Sequence, residues 1–97
     1  MPFRRDSSRH FAWKKWAADH REDLLAAGVP DWILTDELKW LRFLEEGYDH
    51  ESGWSPRMLD LDKARNLHAF IRREYGDQRY RGALHDIEAY LGEDPVT

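Results

Sequence analysis

Residues 35–47 constrain the fold more than any other part of the chain, and they read Thr35-Asp36-Glu37-Leu38-Lys39-Trp40-Leu41-Arg42-Phe43-Leu44-Glu45-Glu46-Gly47. Asp36 and Glu37 suit the first turn of a helix, where the helix dipole favours acids, and Gly47 is a typical stop. The five apolar residues between them spread over about 220° of the helical wheel, far wider than the stripe of a surface helix. Such a helix either lies at the centre of the fold or keeps one face for a partner. The central position is favoured.

The segments around this helix predict a compact four-helix all-α domain with a long irregular loop between helices 2 and 3. The helices are expected over about residues 8–27, 36–46, 61–75 and 78–91, with Thr35, Asp60 and Asp77 as caps and Gly28, Gly47 and Gly76 as stops. A helix that starts at Pro30 and runs through to residue 46 is an alternative. Single helical turns are expected near Pro30 and after Ser55. No run alternates apolar and polar residues as a strand would.

Composition indicates one domain with a dense aromatic interior. The chain has 97 residues, five tryptophans and no cysteine, so it forms no disulfide and does not need an oxidising compartment. Arg4 and Arg5 are not followed by the apolar run of a secretory signal, and no stretch approaches a membrane span. We therefore expect a cytoplasmic protein.

The chain has more aromatic residues than the core-facing sides of four helices require. In helix 1, Trp13, Trp16, Ala17, His20, Leu24 and Ala27 share one face, whereas Phe11 and Leu25 lie on the outer side and Lys14 and Arg21 point away. Phe70 falls outside the stripe of helix 3. Exposed aromatic residues that gather into a patch mark an interface. The predicted partner-binding residues are Phe11, Trp40, Phe43, Tyr48, Trp54 and Phe70, and the predicted function is a protein-interaction module, with a homo-oligomer as one possibility.

Charge alternates in blocks along the chain. Residues 1–21 hold six basic and two acidic residues, whereas residues 22–62 hold three basic and eleven acidic ones. The net charge of −4 argues weakly against non-specific binding to nucleic acid. Complementary charged patches steer association, so this pattern favours self-association or a charged protein partner.

A nucleic-acid-binding protein is the alternative function. Helices 3 and 4 are joined by a short turn at Gly76-Asp77, as in a helix-turn-helix, whose second helix reads base edges with its first residues. The residues that would contact nucleic acid are Arg72, Arg73, Gln78, Arg79 and Arg81. Asp86 and Glu88 follow on the same helix and would repel phosphates unless they face away.

Catalytic and metal-binding patterns are weak. Asp49-His50-Glu51 places two carboxylates beside an imidazole, but consecutive loop residues rarely converge, so a solvated loop is favoured over an acid–base or metal site. His20 and His68 fall on inner helical faces, which is typical of hydrogen-bonded core histidines. His85 and Glu88 are expected to form an exposed pair. No catalytic residues, metal, cofactor, membrane contact or small-molecule substrate is predicted.

Overall fold

The computed structural model describes residues 3–93, with side chains described from Arg9 onward. Its elements are α1 (Phe3–Asp19), α2 (Arg21–Ala26), a 3₁₀ turn (Asp31–Ile33), α3 (Glu37–Glu46), a second 3₁₀ turn (Pro56–Met58), α4 (Leu61–Tyr75) and α5 (Arg81–Gly92). No strand occurs within residues 3–93, so the predicted all-α class is confirmed.

The helix predicted over residues 8–27 is divided at His20. His20 has φ −104° and ψ 14°, which departs from helical geometry and separates α1 from α2. Its imidazole packs against Trp16 at 4.6 Å and Phe70 at 5.6 Å between ring centroids. The break lets α2 pack on α4, where Asn66 Nδ2 donates to the carbonyl oxygen of Ala26 at 2.9 Å.

The N-terminus of α3 is capped by Asp36 and not by Thr35, which corrects the sequence prediction. The Asp36 carboxylate accepts from the backbone N–H of Leu38 at 3.0 Å. Thr35 instead donates its hydroxyl hydrogen to the carbonyl of Trp32 at 3.1 Å. The alternative of one helix from Pro30 is wrong, since the 3₁₀ turn at 31–33 ends before α3 begins. Gly47 ends α3 with φ 89°, as predicted.

The bounds of α4 match the prediction, but α5 begins at Arg81 and not at residue 78. Asp60 caps α4 by accepting from the N–H of Lys63 at 2.8 Å. Asp77 caps nothing, because its carboxylate accepts from the Arg72 guanidinium. A longer connection, residues 76–80, therefore joins α4 and α5.

The helix α3 contributes a fully buried face to the core. Its residues Trp40, Phe43 and Leu44 are completely buried, while Leu38 is exposed. α3 packs on α5, and α4 packs on both α5 and α2. Trp40 Nε1 donates to the Tyr75 hydroxyl at 3.1 Å, which satisfies its buried N–H.

Candidate functional site

Four of the six predicted partner-binding residues belong to the core, which corrects that part of the prediction. Trp40 and Phe43 are fully buried, Phe70 is 2% exposed and Trp54 is 8% exposed. α4 contacts elements on two sides, so its buried arc is wider than the single stripe assumed, and Phe70 packs against Trp16 at 5.9 Å. Trp54 packs on Phe43 at 5.4 Å and attaches the 47–59 loop to the core.

The other two predicted residues are exposed, and they lie on different elements of the fold. Phe11 is 71% exposed on the outer face of α1. Tyr48 packs on His50 with ring centroids 4.6 Å apart in the loop after α3, where it lines a small hollow together with Leu38. The predicted residues therefore do not form one exposed surface.

The residues predicted to contact nucleic acid are largely neutralised within the chain. Arg72 binds Asp77, and Arg73 lies 3.1 Å from the carboxylate of Asp23. Arg81 binds Glu88 at 3.0 Å. Gln78 and Arg79 are exposed, and the Arg79 guanidinium lies 5.4 Å from the centroid of the Tyr80 ring. The carboxylates that hold these arginines would repel a phosphate backbone.

The acidic loop at 49–51 does not assemble a site. The buried Asp49 carboxylate accepts from the N–H and the hydroxyl of Ser52 at 3.0 and 2.7 Å. Burial opposes ionisation, but these hydrogen bonds, with the nearby charges of Lys39 and His50, hold the pKa of Asp49 below its ordinary value. His50 pairs with Glu46, and Glu51 lies 3.3 Å from Lys39. In the part of the chain that the structure describes, no three His, Asp or Glu side chains are placed to hold a metal ion.

The inner-face histidines lie close to carboxylates on other helices. Half-buried His20 lies 3.6 Å from Glu74, and half-buried His68 lies 2.8 Å from Glu88. The predicted pair of His85 and Glu88 is wrong, because Glu88 binds His68 and Arg81. Those two partners lower the pKa of Glu88. These pairs connect helices of the fold.

Two indole rings attach α1 to the rest of the molecule. Trp13 and Trp16 stack at 5.1 Å with an angle of 16° between their planes, and Trp13 Nε1 donates to the carbonyl of Leu34 at 2.8 Å. Trp16 also contacts Trp40 at 6.3 Å. Because these large side chains lie between α1 and the core, open grooves remain on both flanks of the helix.

One of these, the apolar groove, is the strongest candidate for a binding site. It has a volume of about 520 Å³ and runs between α1 and the segment from α2 to the first 3₁₀ turn. Its apolar surface comes from Ala17, Leu24, Leu25, Val29 and Leu34. Leu25 is the most accessible large hydrophobic side chain among them, and it is 54% exposed. The size and lining are typical of sites that take apolar side chains.

The rim of the apolar groove is basic. His10 and Lys14 line it from α1 and Arg21 lines it from the start of α2, while Asp31 is its one acidic lining residue. Most Lys and Arg side chains from Arg9 to Glu93 lie within 4 Å of a carboxylate. Lys14 and Arg21 differ, because no carboxylate of the described residues lies within 4 Å of either side chain. Their charge is therefore available to a ligand.

The apolar groove was not predicted from the sequence. The sequence indicates only that Leu25 lies on the outer side of helix 1 and that residues 1–21 are basic, and none of the predicted partner-binding residues lines the groove. Val29 and Leu34 were missed because they lie outside the helices and become part of a groove only when the chain turns back at Pro30.

Comparison of the chain with protein-family models, curated proteins and solved structures gives no significant match. Within residues 3–93, no helix has the length and apolar character needed to cross a membrane. The chemistry of the apolar groove is therefore the basis for a functional proposal.

Proposed function

We propose that this protein is a protein-binding module whose apolar groove takes an amphipathic, acidic helical segment of a partner protein. The proposal rests chiefly on one observation: an accessible apolar surface bordered by Lys14 and Arg21, neither of which is neutralised by a described carboxylate. We also propose, from the sequence, that the protein is cytoplasmic.

The apolar lining supports a helical occupant. Grooves of this kind receive the apolar face of an amphipathic helix, which presents side chains at positions i, i+3, i+4 and i+7. Leu25 lies on α2 and Leu34 directly follows the first 3₁₀ turn, so a helix laid along α1 would bury apolar side chains against both. Burial of apolar area is the main favourable contribution to such binding.

The charge of the rim supports an acidic occupant. Lys14 lies on α1 and Arg21 is the first residue of α2, and both cations line the apolar groove. A helix bound in the groove with an acid near each of them would pair both cations. Charge complementarity of this kind steers association and fixes the orientation of the bound segment.

No comparable observation favours nucleic acid, because Arg72, Arg73 and Arg81 are engaged by carboxylates of the same chain. Self-association stays a prediction. Sedimentation measurements over a range of protein concentrations would test it independently of the apolar groove.

Selection from a phage library of helical peptides on the immobilised full-length protein tests the proposed function. We expect enriched peptides to combine acids with aliphatic residues at helical spacing. Leu25→Ser and Lys14→Glu should each weaken the binding of a synthetic copy of an enriched peptide at least about tenfold. The first variant removes apolar contact and the second reverses a charge on the rim.

Matched variants outside the groove serve as controls. Met58 is 67% exposed, and Met58→Ser should leave peptide affinity unchanged. Arg65→Glu reverses a charge on α4 and should also have no effect. Failure to enrich any peptide, enrichment of basic peptides, or equal losses in the groove and control variants would overturn the proposal.

A further inference from the structure

The groove on the other flank of α1 is lined by aromatic rings and has a volume of about 510 Å³. It is here called the aromatic groove, and it is built on Trp16, Leu41, Tyr75 and Tyr80, with Arg79, Arg9 and Glu37 at its polar positions. The Tyr75 and Tyr80 rings meet edge to face at 4.9 Å. Flat apolar surfaces of this kind favour a planar ligand, because aromatic rings attract one another in stacked and edge-to-face arrangements.

Arg79 gives the aromatic groove a cation that no carboxylate of the described residues neutralises. No carboxylate of the described residues lies within 4 Å of its guanidinium, in contrast to Arg72 and Arg81 on either side of it in the sequence. The guanidinium instead lies over the Tyr80 ring, at the edge of the apolar surface. An arginine held in this way presents its donors in a geometry that matches a carboxylate.

Tyr75, which lines the aromatic groove, carries a hydroxyl that still has a hydrogen to donate. It accepts from Trp40 Nε1 at 3.1 Å, and its own hydrogen has no acceptor among residues 9–93. Burial raises the pKa of Tyr75, so the hydroxyl keeps that hydrogen at neutral pH. Glu37 is the acid of this groove, and Arg9 holds it at 3.1 Å.

We propose that the aromatic groove binds a small molecule that joins a planar aromatic ring to a carboxylate. The ring would lie against Trp16 and Tyr80, and the carboxylate would accept from Arg79 and the Tyr75 hydroxyl. Glu37 repels an anion and would direct the carboxylate away from its own position. This site lies apart from the apolar groove and does not depend on the proposed protein partner.

Titration of the ¹⁵N-labelled full-length protein with indole-3-carboxylate, followed by NMR, tests this site. We expect the indole N–H of Trp16 and the amides of residues 75–81 to shift. The neutral amide, indole-3-carboxamide, should bind at least about tenfold more weakly, because it cannot form the charge-assisted hydrogen bonds to Arg79.

Two arginine variants distinguish a built site from general attraction to positive charge. Arg79→Gln should weaken the binding of indole-3-carboxylate at least about tenfold. Arg72→Gln should leave this affinity unchanged, because Arg72 is already paired with Asp77. Equal affinities for the carboxylate and the carboxamide would overturn the proposal. So would an unchanged affinity in Arg79→Gln, shifts confined to other surfaces, or no shift at millimolar ligand.

Discussion

Gly82 of α5 lies directly against the backbone of Glu45 in α3, so close that a Cβ at position 82 would overlap the carbonyl oxygen of Glu45. The contact continues at Gly47, where a Cβ would lie 2.9 Å from the carbonyl oxygen of Gly82. The two helices can approach this closely only because position 82 has no side chain. This approach lets α3 and α5 pack backbone to backbone at this point.

Gly82→Ala should lower the free energy of unfolding by about 1–3 kcal/mol, because the overlap with the Glu45 backbone outweighs the better helix propensity of alanine. Urea unfolding followed by circular dichroism measures this change. Gly92→Ala, at the end of the same helix with nothing near its Cβ, is the matched control and should be neutral or slightly stabilising. Equal stability of the two variants would contradict the close packing described.

Tyr75→Phe should destabilise the fold by about 1–3 kcal/mol, because it leaves the buried N–H of Trp40 without its acceptor. Thermal and urea unfolding would report the loss. Tyr48→Phe removes a hydroxyl from an exposed ring and should change the stability by less than about 0.5 kcal/mol. A neutral Tyr75→Phe would mean that the hydrogen bond adds nothing to stability.

The Asp49 carboxylate should make stability depend on acid pH. Its pKa in the folded protein lies below its ordinary value of 3.8, so ionised Asp49 stabilises the fold above that value and loses this effect as pH falls through the folded-state pKa. Asp49→Ala should therefore cost about 1–3 kcal/mol at pH 7 and progressively less in acid. Urea unfolding measured from pH 7 down to below the folded-state pKa checks the trend. Asp62→Ala, at a 93% exposed side chain, should show no such change, and a pH-independent cost at Asp49 would refute this role.

Phe70→Ala should cost about 3–5 kcal/mol, as expected for a large side chain removed from a core, whereas Phe11→Ala should cost less than about 0.5 kcal/mol. The difference arises because Phe70 is 2% exposed and Phe11 is 71% exposed. Chemical unfolding of the two variants under the same conditions makes the comparison. Similar costs at both positions would show that Phe11 is also covered, for example by a second copy of the chain.

Local signals along the chain predicted most of the helices correctly. The bounds of α4, the stop at Gly47 and the Ser55-capped 3₁₀ turn at 56–58 all depend on neighbouring residues that contact one another whatever the rest of the chain does. The errors at Thr35 and Asp77 occurred where two or more residues compete for one role. Asp36 lies beside Thr35 and took the cap, and Arg72 drew the Asp77 carboxylate away from the helix it was expected to cap.

The sequence predicted which residues form the surface much less well than it predicted the helices. An apolar surplus was evident from five tryptophans and a broadly apolar α3, but the wheel of one helix cannot show how many neighbours that helix has. Phe70 is buried because α4 is covered on two sides, whereas Phe11 is exposed because only the opposite face of α1 meets the core.

By itself, the amino-acid order determined an all-α chain, most of its helix ends and the basic character of its first segment, since these follow from contacts between near neighbours. Only the tertiary structure decided which aromatic rings are covered and where grooves remain open. The apolar groove joins Lys14 to Leu34, and the aromatic groove joins Trp16 to Arg79. Residues so far apart in the chain come together only when the helices pack, and their packing depends on the shapes of many side chains at once.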